Sequence, residues 1–165
     1  MSITVFSATY LDSLVQQAAA SPRHRQHLNI HSDYADPCQR TFNAIEPNSY
    51  LRPHRHELVP RAETMIAVRG LMALVVFDDA GNVVETFRFG AGKHVEVEGV
   101  AVGVETPPGH WHSVIALEPG SVLLEVKAGP FDPSAPKEFA LWAPEEGSEG
   151  ASEYLQGLKA MVVRG

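Results

Sequence analysis

From Gln39 to Ala128 the chain alternates short runs rich in Val, Ile, Phe and Thr with compact turn signals, and no helix-length segment intervenes. The runs are QRTFNAIE, SYLRPH, TMIAVRG, LMALVVFD, VVETFRF, HVEVE, VAVGVE, WHSVIAL and SVLLEVKA; between them lie EPNS, DDAGN, GAGK, TPPGH and EPGS. Each break has a backbone reason, a glycine able to take positive φ or a proline with fixed φ. Many short, closely spaced strands predict a sandwich or barrel. The absence of helical crossovers argues against parallel βαβ winding.

The flanks read differently. In TYLDSLVQQAAASP, Leu11, Leu14, Val15, Ala18 and Ala19 fall at helical spacing. Thr9 and Asp12 fit a capping box, and Pro22 marks the end. The polar, basic segment RHRQHLNIHSDYADP reads as an irregular arm. After the strands, AGPFDPSAPKEFALWAPEEGSEGA reads as loop. SEYLQGLKAMVV then carries an apolar helical stripe of Tyr154, Leu155, Leu158, Met161 and Val162. The expectation is one domain over 1–165, with a helix and arm over 1–38, a β-barrel over 39–128 and a loop and helix over 129–165.

The 165 residues are 44% hydrophobic and 20% charged, a globular composition able to bury a core. The net charge of -7 argues against nucleic acid or an anionic membrane as the main partner, since both need a basic footprint. Cys38 is the one cysteine, so no internal disulfide forms, as suits a reducing compartment. The N-terminus has no basic region followed by an apolar run, and no stretch of about 18 apolar residues exists. These features predict a cytoplasmic protein.

LRPHRHELVPRAET concentrates the chemistry. On a strand, His54 and His56 share a face about 6–7 Å apart, close enough to converge on one metal ion. Glu63 lies at the start of the next strand, where a hairpin brings a hard oxygen ligand alongside. Far along the chain, PPGHWHSV offers His110 and His112, and spacing alone does not choose between them. An H-x-H pair by itself is a weak signal in a chain with eight histidines. Joined to a glutamate and a distant turn histidine, it is a stronger one. His24, His27, His31 and His94 are read as having no metal role.

HRHELVPRAETMIAVRG, which is H-x-H-x(6)-E-x(6)-G, resembles the first cupin motif, and PPGHWH resembles the second. Together with SPRHRQHLNIH, QRTFNAIEPNSYLRPHRH, FDDAGNV, EVKAGPF and WAPEE, the chain is similar to the WbuC-type cupin-fold metalloproteins over nearly its whole length. The resemblance implies a mainly β fold, a cupin or jelly-roll antiparallel β-barrel with an N-terminal and a C-terminal helix. It implies one divalent transition metal, Zn, Fe, Ni or Mn, held by His54, His56, Glu63 and His112. It also implies a link to surface-polysaccharide biosynthesis, of which lipopolysaccharide is one case. Three positions depart from the cupin pattern: Asn48 stands where Gly usually opens the first motif, the gap from His56 to Glu63 is long, and Ala116 stands where Asn is frequent.

Strand alternation places Arg52 with His54 and His56, and Glu125 with Lys127 opposite Val122, Leu124 and Val126. A solvated face explains the second pattern as well as an inward one does. If inward, Arg52 and Lys127 bind an anionic group and Glu125 orients one of them. Arg23, Arg25, Asn29 and His31 could close over the mouth from the arm. Two functions are consistent with these residues. One is a metal-dependent isomerase, lyase or oxygenase acting on a small polar molecule such as a sugar derivative. The other is a non-catalytic module that binds a sugar or nucleotide sugar around a structural metal. Exposed sheet edges predict a homodimer.

Overall fold

The structure, a computed structural model, describes residues 3–56, 60–134 and 137–164. Helix α1 (Ala8–Ala20) is followed by strands β1 (Arg25–Asn29), β2 (Cys38–Ile45), β3 (His54–Arg55), β4 (Glu63–Arg69), β5 (Leu71–Phe77) and β6 (Val83–Gly90). A 3-10 helix (Gly92–Glu96) leads to β7 (Val100–Ala101), β8 (Gly103–Thr106), β9 (Trp111–Ala116), β10 (Ser121–Ala128) and β11 (Glu138–Phe139). Helix α2 (Ala151–Arg164) closes the order. The strands form two sheets, ordered β1-β2-β10-β4-β8 and β11-β3-β9-β5-β6-β7. Pairing is antiparallel except between β6 and β7.

Alternation sorts the side chains into layers. Ile45, Met65 and Leu123 of the first sheet pack against Met72, Leu74, Phe89, Val114 and Ala116 of the second, so the sheets face each other across a shared core. Alternate residues point outward. Phe42, Ala44 and Val122 receive Leu11, Leu14 and Ala18 of α1. Ala73, Val75, Phe77, Trp111 and Ile115 receive Leu155, Leu158 and Val162 of α2. Each sheet is therefore covered on both faces, which is why LMALVVF is apolar almost throughout instead of alternating. Burying each such leucine contributes about 1.5–3 kcal/mol. The result is a cupin-type jelly roll in which two open sheets are stacked, with a helix on each outer face.

Several local expectations are corrected. The α1 cap is Ser7, whose hydroxyl accepts the Tyr10 N–H at 3.2 Å, not a box of Thr9 and Asp12; Asp12 instead pairs with Arg69 at 2.7 Å. The arm is not irregular throughout, because Arg25–Asn29 pairs with β2. HVEVE lies largely in the 3-10 helix, and of SYLRPH only His54 is strand. Met161, placed in the buried stripe by its spacing, is 52% exposed.

The one-residue turn from β4 to β5 depends on Gly70. Its φ of +75° is the left-handed region, and a Cβ there would lie 2.4 Å from Ser121 Oγ. That hydroxyl donates to the Glu118 carbonyl at 2.7 Å and accepts the Leu71 N–H at 3.3 Å, so it cannot move freely. Gly70→Ala is expected to lower the unfolding free energy by about 1–2 kcal/mol from backbone strain alone, with a further loss from displacing Ser121. Urea denaturation showing no change would contradict this.

Candidate functional site

One end of the space between the sheets is polar. A cavity of about 390 Å³ there is lined by His54, Glu63 and His112 together with Arg23, Arg25, Asn43, Arg52, Glu125, Lys127, Lys137, Phe139 and Glu146. Register builds it. His54 on β3 stands directly opposite His112 on β9, in one sheet. Glu63 on β4 stands directly opposite Lys127 on β10, in the other. The intervening parity turns Arg55 and Trp111 outward, where the guanidinium lies 4.4 Å from the indole ring. Gly109, at φ +79°, makes the turn that enters β9, and its N–H donates to the His56 carbonyl at 3.3 Å.

The ring orientations are set by backbone carbonyls. His112 Nδ1 lies 2.9 Å from the His110 carbonyl and His54 Nδ1 lies 3.2 Å from that of Arg52. A carbonyl oxygen only accepts, so Nδ1 of each ring carries the proton and Nε2 the lone pair. His112 Nε2 then meets Glu63 Oε2 at 3.0 Å. A lone pair facing a carboxylate oxygen requires a cation, a proton or a metal ion, shared by the two groups. Two ligands bound about 2.1 Å from one ion at right angles are about 3.0 Å apart, so this spacing suits either. Donor atoms of His54, Glu63 and His112 all lie within 4.8 Å of one another, and all three residues are buried.

His56 stands at the edge of this group. Its ring centroid is 5.5 Å from that of His54 and 6.3 Å from that of His112. Its Nε2 is 3.1 Å from Glu63 Oε1, yet that buried nitrogen has no well-directed hydrogen bond. An orphaned imidazole nitrogen beside the cluster fits a ligand set completed by a metal ion. His110, the alternative that the sequence left open, is exposed and contributes only its carbonyl.

Electrostatics keeps these groups in ligating form. Burial lowers the His54 pKa well below the ordinary histidine range, and the charge of Lys137 lowers it further. The ring is neutral. Burial alone would raise Glu63; the His112 and His56 imidazoles that face it and the charge of Lys127 outweigh that and hold the carboxyl well below the usual range. Lys127 Nζ is 3.1 Å from Glu63 Oε1 and 2.7 Å from Glu125 Oε1, and Asn43 Nδ2 donates to Glu125 Oε2 at 3.1 Å. Burial disfavours the Lys127 ammonium, but Glu125 and Glu63 raise its pKa above the ordinary lysine range.

Glu125 and Lys127 thus face inward and are bonded to each other. Arg52 also lines the cavity, with Nε donating to the Ala140 carbonyl at 3.1 Å and Nη1 3.7 Å from Glu145. From the arm, Arg23 and Arg25 reach the cavity, while Asn29 and His31 line a smaller neighbouring one of about 220 Å³. The sequence reading missed Lys137, Asn43 and Glu146. Glu146 clamps the arm, with Arg23 Nε at 2.8 Å and Arg25 Nη2 at 2.7 Å.

The fold and site define a cupin-type β-sandwich with a buried histidine–glutamate cluster at one end. The chain belongs to the family described as "Domain of unknown function (DUF6016)", whose model matches residues 6–89. No curated protein matches it. Among solved structures, KdgF from Halomonas sp. is 17% identical, with 69% of this chain and 84% of that one covered and a TM-score of 0.51. The likeness is one of fold. The polyketide cyclase RemF from Streptomyces resistomycificus is 24% identical, with coverage of 80% and 78% and a TM-score of 0.49. A mutant form of the Bacillus subtilis oxalate decarboxylase OxdC is 18% identical, with a TM-score of 0.48; the match covers 70% of this chain but only 27% of that one.

The Glu146 clamp carries a pH signature. Burial pushes Glu146 up, but hydrogen bonds from Arg23 and Arg25 prevail and bring its pKa from 4.5 to about 2. A depressed carboxyl stabilises the fold above its unfolded value and loses that contribution as pH falls from 4.5 through about 2. Glu146→Gln is expected to cost about 1 kcal/mol at pH 7, a modest figure because Arg23 is mostly exposed and screened. The difference from wild type should shrink as pH is lowered through that window in parallel thermal melts. A difference independent of pH would exclude the ion pairs as its origin.

Proposed function

We propose that the chain binds one divalent transition metal through His54, Glu63 and His112, with His56 as fourth ligand, and is an enzyme acting on a small polar or anionic molecule. The observation that carries this reading is the placement of three buried donors, within 4.8 Å of one another, in the wall of a 390 Å³ cavity. A structural metal is normally sealed by its ligands, whereas this cluster borders space that a small molecule can fill. Imidazole and carboxylate donors suit Zn, Fe, Ni or Mn.

A divalent ion there would act as a Lewis acid on a carbonyl or hydroxyl oxygen. The protein's own contributions are separable. The Arg52 and His110 carbonyls orient the His54 and His112 rings. Lys127, itself held by Glu125, keeps Glu63 deprotonated and pointed at the histidines. The cationic side chains of the cavity wall receive negative charge on a ligand. Isomerase, lyase and oxygenase chemistry all fit such a site. The resemblance to WbuC-type proteins supports a sugar derivative as the substrate, and through it surface-polysaccharide biosynthesis. The reading includes a single cupin domain and a homodimer, supported by the unpaired outer edges of β1, β8, β7 and β11 among the described residues.

Metal analysis of protein purified without an affinity tag should find close to one ion per chain, and His54→Ala with His112→Ala should abolish it. His56→Ala alone should weaken retention against a chelator and leave the ion bound in its absence. Full metal content in the double variant would sink the assignment. Sedimentation at micromolar concentration should give a dimer, and a monomer there would remove that part of the reading.

A further inference from the structure

The cavity wall carries five cations, Arg23, Arg25, Arg52, Lys127 and Lys137, and three carboxylates, Glu63, Glu125 and Glu146. Two more positive than negative groups thus line a cavity in a protein of net charge -7. Most of the positive charge is already engaged. Arg23 and Arg25 share Glu146, Arg52 lies beside Glu145 and the Ala140 carbonyl, and Lys127 is held by Glu63 and Glu125. Lys137 is different. It makes no hydrogen bond or ion pair with any of the described residues. It lines both the main cavity and the 220 Å³ cavity beside it, at the boundary the two share with His27, Asn43, Glu125 and Lys127.

An ammonium that faces a cavity without a direct counter-charge is available to an anionic ligand there. Lys137 is an exposed residue, yet protein around its charged end lowers its pKa, and the more distant carboxylates do not restore it. The second cavity holds another unmatched polar group. His31 Nδ1 is satisfied by the Arg40 backbone, 3.0 Å from its N–H and 2.9 Å from its carbonyl, while Nε2 is buried with no partner. The unmatched groups lie toward the smaller cavity and the histidine–glutamate cluster lies in the wall of the larger one, so a ligand at their shared boundary has a preferred direction.

We propose that Lys137 anchors the anionic group of the ligand, a carboxylate or a phosphate, while the remainder of the molecule lies toward His54 and Glu63. This rests on the small-molecule reading of the cavity and assigns the specificity to a residue outside the cluster. Lys127 then holds Glu63 in place and is not the anion receptor.

The test is calorimetric titration of the purified holoprotein, as wild type, Lys137→Met and Lys137→Arg, with inorganic phosphate, D-gluconate and neutral D-glucose in low-chloride buffer. Wild type should bind one of the anions at least about ten-fold more tightly than glucose, as expected for one charge-assisted hydrogen bond. Which anion it prefers separates a phosphate ligand from a carboxylate one. Lys137→Met should lose that preference, Lys137→Arg should keep most of it, and the metal content of both should equal that of wild type. Wild type showing no preference for either anion, or no binding at all, overturns the proposal, as does Lys137→Met binding the anion like wild type. The wild-type comparison decides even if a variant does not fold. Failure of the metal assignment would appear separately, as absent metal with anion preference intact.

Discussion

The carboxylate of Glu63 joins the two halves of this protein at the end where apolar packing gives out. One oxygen meets His112 on the opposite sheet and the other meets Lys127 on the adjacent strand and approaches His56. A buried carboxylate is costly unless its hydrogen-bonding capacity is met. Here it is met from both sheets, so the charge that would destabilise an ordinary core serves to align two layers. The histidine orientations, the inward lysine and the cavity between them all follow from satisfying that one group.

Strand alternation made part of this legible in advance. Glu125 and Lys127 share a face in the sequence and share the cavity in the structure, while Val122 and Leu124 pack toward α1. The sequence offered an H-x-H pair and a distant turn histidine, but not the register that sets His54 opposite His112. The sequence could not show where each cation ends up electrically. Lys127 points inward as the pattern allows, but its charge is consumed by two glutamates. Lys137, without such partners, lies in a Pro-rich segment that has no periodicity to read.

The misplaced local features have equally specific causes. Thr9 and Asp12 match the same spacing rule as a true cap, and only the backbone shows that Ser7 ends the extended chain. β1 looks irregular because an edge strand that lines a polar cavity carries polar residues, with Leu28 its main contact to the α1 layer. Met161 follows helical spacing, yet α2 is not buried all along its stripe, and the position faces water.

The strand order also bears on how the molecule is assembled during synthesis. β2 lies between β1 and β10, so the edge it presents to β10 has no partner until residues 121–128 have been made. β3 waits likewise for β9, and with it the alignment of His54 with His112. Part of the histidine–glutamate cluster therefore spends much of the chain's emergence on an unpaired, adhesive edge. Such long-range pairings are slow to form because the intervening loop must first be closed. The cavity is thus among the last parts of the protein to exist. A nascent chain is exposed to wrong pairing until β9 and β10 arrive.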